Sequence, residues 1–246
     1  MKIRKIYITL VLAVFLIPNI TWAGECKKLI TDDFKKAYEA CSKEAENGDV
    51  VAQYNLGLMY RRGDGVQQEY KKAYEWLEKA AENGFAAAQH QMGYAYSNGV
   101  GIEKDSKKAI YWYTKAAEQN YIESQHNLWV IYYTGKDLKQ NMEKTFYWLE
   151  KSANNGIIED QFNLAIMYYT SEEANKYKKT FYWMEKAAEN NHAMAQYRLA
   201  LLYMNGEVIK QNSIQAIYWM KKAAKNGNKK AKNNLDKIIK IIEQKP

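Results

Sequence analysis

His90 and His126 stand thirty-six residues apart in a chain that has three histidines. Two imidazoles could supply nitrogen ligands to a transition metal, or could titrate together between pH 5 and 8. A further step of thirty-six leads to Phe162 and one of thirty-five to Tyr197, so no third ligand is evident, and no metal or cofactor is expected. Cys26 and Cys41 are the two cysteines, with no histidine near them, which is poor material for a four-ligand zinc site. A disulfide is the simpler use if the compartment is oxidising; a pair of free thiols is the alternative. Nucleophilic catalysis finds little support. None of the serines has a lysine three residues on, and Ser-Asp-Asn, Lys-Thr-Gly, Gly-x-Ser-x-Gly and His-Glu-x-x-His are all absent. Gly63-Asp64-Gly65 and Gly99-Val100-Gly101 read as helix connectors rather than phosphate cradles. No catalytic residue is assigned.

The step of thirty-six is not confined to histidine. Gln53, Gln89, Gln125, Gln161 and Gln196 recur with it, and so do Trp76, Trp112, Trp148, Trp183 and Trp219, each series with a single step of thirty-five. Each unit reads as helix, loop, helix. In the first, Ala52, Gln53, Leu56, Gly57 and Tyr60 share one stripe of a front helix. A glycine loop, residues 62–66, turns the chain. Ala73, Trp76, Leu77, Ala80 and Ala81 then mark the back helix, which stops at Asn83-Gly84. Small residues in the alanine pairs let helices approach, and each tryptophan fills the space beside them. A single helix pair cannot bury its own face, so the units must stack.

The N-terminus reads as an export signal: Lys2, Arg4 and Lys5, an apolar run from Ile6 to Ile17, then Thr21-Trp22-Ala23. Cleavage is expected after Ala23. The run is short for a membrane span, so no stable span is expected after cleavage. Removing three basic residues and no acidic one lowers the net charge from +8 to +5. That is mildly basic, the lysines are dispersed, and nucleic acid is not an expected partner. The chain is expected to be periplasmic or secreted. Its parts are residues 1–23 as signal, 24–49 as an N-terminal capping helix with the disulfide, 50–228 as five repeats, and 229–246 as a C-terminal capping helix.

The run Ala-Gln-x-x-Leu-Gly-x-x-Tyr, a Gly-x-Gly-Val loop, and Lys-Ala-x-x-Trp-x-x-Lys-Ala-Ala-Glu-x-Gly resembles the Sel-1-like repeats, relatives of the tetratricopeptide repeats, from residue 50 to about 228. The resemblance implies an all-α, right-handed α-solenoid with a concave inner surface and a scaffold or adaptor role, its partner a protein or peptide. Some secreted, cysteine-rich members are described as binding penicillin or hydrolysing β-lactams. They carry a cysteine pair in each repeat, which this chain lacks, so that activity is the alternative reading only.

Carried over from the tetratricopeptide fold by the leucine–glycine register, the groove-facing positions are Tyr54, Leu58 and Arg61; His90, Tyr94 and Ser97; His126, Val130 and Tyr133; Phe162, Ile166 and Tyr169; and Tyr197, Leu201 and Met204. The set is rich in tyrosine, which offers contact area with a polar tip. An aromatic stripe at helical spacing serves equally well as core, and both readings stand here. Trp129 occupies the position of Gly57 and Gly93, where it must either repack the interior locally or swing out as an exposed aromatic in the groove. Repeat four also loses one loop residue and all loop glycine, so the centre of the array is its divergent part.

Overall fold

The computed structural model describes residues 26, 33–135, 138–206 and 208–235. The expected signal segment and the end of the C-terminal cap lie outside these residues. Every regular element among them is helical. A lone helix, α1 (Phe34–Glu46), comes first. Five front–back pairs follow: α2 (Val50–Arg62) with α3 (Tyr70–Glu82), α4 (Ala86–Asn98) with α5 (Ser106–Glu118), and α6 (Ile122–Thr134) with α7 (Met142–Asn154). The last two are α8 (Ile158–Thr170) with α9 (Lys176–Glu189), and α10 (Ala193–Asn205) with α11 (Ser213–Lys225). Residues 229–235 are helical again. Each helix packs on the one before and the one after, which makes a right-handed α-solenoid.

Local chemistry sets the helix ends. Front helices α2, α4, α6 and α10 stop at Gly63, Gly99, Gly135 and Gly206, all left-handed. In repeat four no glycine is available, and α8 ends at Ser171 with extended backbone. Asp33, Asp49, Asp105, Asn141 and Asn212 cap helix N-termini through side-chain oxygens.

The alanine pairs are buried apart from the half-buried Ala224, and Trp112, Trp148, Trp183 and Trp219 are buried with them, whereas Trp76 is half-buried. Front and back helices touch most closely where the leucine–glycine register predicts. A Cβ on Gly93 would lie 2.6 Å from the Tyr113 ring, and one on Gly57 would lie 2.7 Å from Leu77. Ala165 and Ala200 tolerate a methyl at this place because methionines, Met184 and Met220, hold the facing positions and adapt their shape.

Each repeated glutamine is a buried clasp. Gln125 Nε2 donates to the Ala117 carbonyl at 3.1 Å, and its Oε1 accepts from Asn155 Nδ2 at 2.8 Å. Gln161 and Gln196 do the same with Ala153 and Asn190 and with Ala188 and Asn226. Gln53 bonds Ala45 and Asn83; Gln89 bonds Ala81 and, in place of asparagine, Gln119. One side chain thus joins the back helix before it to the end of its own repeat. The carbonyls it meets belong to the last helical turn, where no intrahelical donor exists.

At the N-terminus the Cys26 and Cys41 sulfurs lie at bonding distance, 2.10 Å, as the pairing expects. Both cysteines are buried with Ala37, Ala45, Ala52, Leu56 and Met59.

Candidate functional site

Front-helix residues on the side away from the back helices form one continuous row. Its inner members are half-buried and bridge adjacent repeats. Tyr54 meets Phe85 (ring centroids 5.1 Å), His90 meets Tyr121 (4.9 Å) and Phe162 meets His192 (4.6 Å). Tyr197 accepts from Asn234 Nδ2 at 3.3 Å. These contacts arise because the residue just before each front helix lies beside the preceding front helix. The outer members project. Tyr94, Tyr133 and Tyr169 are 44%, 47% and 41% exposed, and Met204 is exposed too. Leu58, Ser97, Val130, Ile166 and Leu201 are half-buried between them. The row is therefore part inter-repeat packing and part open surface, a division that the periodicity of the residues did not reveal.

Trp129 does not belong to the open part. It is 9% exposed and packed in the central core, its ring edge-on to His126 at 5.4 Å. The indole lies along its own helix and Nε1 donates to His126 Nδ1 at 3.2 Å, so it has a polar partner without reaching solvent.

Front helices also hydrogen-bond directly to one another. Arg61 Nη1 donates to Gln91 Oε1 at 2.6 Å, and His90 Nδ1 lies 2.9 Å from Ser124 Oγ. His126 Nδ1 lies 2.9 Å from both oxygens of Asp160. Among the described residues no metal-binding group of three His, Cys, Asp or Glu side chains is found. The two histidines sit on adjacent front helices, as expected, yet each is engaged with its own neighbour.

Asp160 is fully buried at a position held by alanine in Ala52, Ala88 and Ala195. Ser152, also at an alanine position, donates a short hydrogen bond to its Oδ2. Serine, aspartate and histidine thus converge, but the carboxylate sits in the middle and the hydroxyl is fully buried. A nucleophilic serine needs histidine as its direct base, so this order is not that of a hydrolytic triad. The signal for it was in the sequence, as two simultaneous departures from alanine.

His126 Nδ1 has two suitors. Carrying a proton it donates to Asp160; bare, it accepts from Trp129. The hydrogen bond to Asp160 raises the His126 pKa above the ordinary imidazole value, burial opposes this, and the charges of Asp160 and Glu159 reinforce it. A raised folded-state pKa means stability that is full below the unfolded value, about 6.5, and is lost as pH rises through the folded value. Burial lowers the pKa of His90, which gives the opposite sign: stability lost as pH falls below about 6.5. We expect melting temperatures of the wild type to exceed those of His126→Gln most at pH 6, with the gap narrowing toward pH 9. A constant gap across that range would dismiss the ion pair.

The back helices bear a second exposed row, absent from the sequence reading. Tyr111, Tyr147, Tyr182 and Tyr218 each precede a tryptophan and are about half exposed. A lysine four residues on lies over each ring at 4.9–5.3 Å. The repeated Tyr-Trp pair was the available signal.

Comparison with known proteins follows the same boundaries. The Sel1 repeat pattern matches at residues 50–85, 86–121, 122–157, 158–192 and 193–228. A protective antigen of uropathogenic Escherichia coli, c5321, displaying an SLR fold, is similar at 31% identity and a TM-score of 0.68, over 87% of this chain and 48% of the antigen. The chain thus spans about half the length of that protein. A Sel1 repeat protein from Oxalobacter formigenes is 29% identical with a TM-score of 0.67, over 85% of this chain and 84% of that one. No curated protein matches.

Proposed function

The chain belongs to the Sel1 repeat family, and from that premise we propose that it is a binding scaffold that holds a protein or peptide in a groove along its front helices. Sel1 repeats generally mediate protein interactions. The observation that carries the reading is the run of exposed side chains Tyr94, Tyr133, Tyr169 and Met204, one from each of repeats two to five, with Tyr94 about one helical turn before the place that the other three share. Solvent-exposed aromatics aligned on a stack of rigid helices supply contact area at low entropic cost. Front helices reach one another through side-chain bonds, from Arg61 to Gln91 and from His126 to Asp160, which fits that side being the inner, concave one that the repeat family implies. Residues 50–228 are the binding body in this reading, with α1 and residues 229–246 as caps.

Extracytoplasmic residence, periplasmic or secreted, goes with this proposal. The Cys26–Cys41 pair is compatible with an oxidising compartment. No described helix is long and apolar enough to cross a membrane. An adaptor or regulatory role fits an extended surface without assembled catalytic groups; the order Ser152–Asp160–His126 lends no support to β-lactam hydrolysis.

The test is the triple substitution Tyr94→Ala, Tyr133→Ala and Tyr169→Ala. Partner recovery in a quantitative pulldown is expected to fall about 100-fold, since each lost aromatic anchor costs roughly 1 kcal/mol. Helicity and the melting curve are expected to stay close to wild type, because these rings are open to solvent. Unchanged recovery, or a collapse of the fold, rejects the groove.

A further inference from the structure

At the first end of the row the wall of the groove changes character. Arg61, Tyr70, His90, Gln91, Tyr94 and Val100 line a cavity of about 520 Å³. Arg61 is the charge of this wall, since burial lowers the pKa of His90 and keeps it neutral near pH 7. The corresponding places in later repeats are Ser97, Tyr133, Tyr169 and Met204, none of them cationic. Arg62, the next residue, lies 4.0 Å from the Asp64 carboxylate. Arg61 has no such counter-ion among the described residues. One Nη1 bond to Gln91 orients the guanidinium, and its other donors meet no protein acceptor there. Tyr70 and Tyr94 hold exposed rings beside it.

A planar guanidinium with unused donors matches a carboxylate in two-pronged fashion. The cavity is wide open to solvent and far larger than one carboxylate. Its occupant must therefore bring apolar neighbours for the tyrosine rings. We propose that this cavity receives an aspartate or glutamate side chain of the partner polypeptide, with an adjoining apolar residue against Tyr70 and Tyr94. The proposal rests on the groove reading above. A polypeptide fits better than an acidic glycan because the cations that follow along the row are widely spaced: Lys104 beside Ser97 and Val130, then Arg198 beside Ile166 and Tyr169. A polymer charged at every unit would meet a wall in which aromatic and apolar places outnumber cations; a peptide can place one acid and continue with apolar residues.

A phage-displayed library of random dodecapeptides, selected on the full chain, tests this. Bound peptides are expected to be enriched in a single aspartate or glutamate next to an aliphatic or aromatic residue. Synthetic versions are then measured by calorimetry. Replacing that glutamate by glutamine should weaken binding to the wild type about tenfold, and binding to Arg61→Gln less than about twofold. Arg61→Gln gives up the bond to Gln91, so it should melt slightly below the wild type, and it should still bind peptides through the rest of the row. Peptides selected without an acidic preference, or an acid whose effect is the same on both proteins, overturn the proposal and leave the groove standing. A library yielding no binders overturns both. Binding of polygalacturonate, weakened by Arg61→Gln, with peptides ignored, replaces the partner by an acidic glycan.

Discussion

Gln125→Leu is expected to cost about 2 kcal/mol and to split the cooperativity of the array near its middle. Leucine has nearly the same volume, so the change removes polar chemistry and little packing. Two hydrogen bonds disappear, one to the Ala117 carbonyl and one from Asn155, at a site with no solvent exposure. Each is worth about 1 kcal/mol, and the exposed Asn155 amide is left to water, which adds little. The Ala117 carbonyl keeps its bond from the Asn120 amide, which limits the damage. Repeat proteins are stabilised by nearest-neighbour terms, so the loss should be local to α5, α6 and α7. Hydrogen exchange would show faster exchange there before the ends. Asn155→Ala breaks one bond and leaves the buried Gln125 Oε1 without its donor, so it should cost about 1–2 kcal/mol by chemical denaturation. The double variant should cost less than the two single changes summed; strict additivity would refute the clasp.

Opening the Cys26–Cys41 link should destabilise the chain by about 3 kcal/mol, through the loop entropy it returns to the unfolded state. The sequence separation is 15 residues. The link also fastens Cys26 over α1 and α2, where its Sγ accepts from Asn55 Nδ2 at 3.6 Å. Without it α1 retains Ala37, Ala45 and the Tyr38–Tyr60 hydroxyl contact at 2.9 Å, so release should begin at that helix. The double variant Cys26→Ala, Cys41→Ala, compared with wild type with and without reductant, separates the bond from the side chains. The expected result is that reductant lowers the wild-type denaturation midpoint to that of the variant. A wild type insensitive to full reduction contradicts it.

Helix-pair architecture, the number of repeats and the buried stripe could all be read before any coordinates. They are encoded locally: side chains three and four apart share a helix face, and a strict period repeats that face five times. Gly57 and Gly93 were recognisable as small positions for the same reason, although their necessity, a ring or a leucine within 3 Å of a would-be Cβ, belongs to the packed state.

What escaped that reading lies between residues about thirty to thirty-four apart, in contacts made only when neighbouring repeats dock. Periodicity marked Tyr54 and Tyr94 alike, yet docking presses Tyr54 against Phe85 and leaves Tyr94 in solvent. It marked Gln125 as recurrent without saying what it held. Trp129 had two possible directions, and the partner that decided between them, His126, is itself oriented by Asp160 from the next repeat. Local sequence determines which residues share a face. The rotation of one hairpin upon the next determines which of them remain open to a partner, because burial depends on the neighbour's surface as much as on the residue's own.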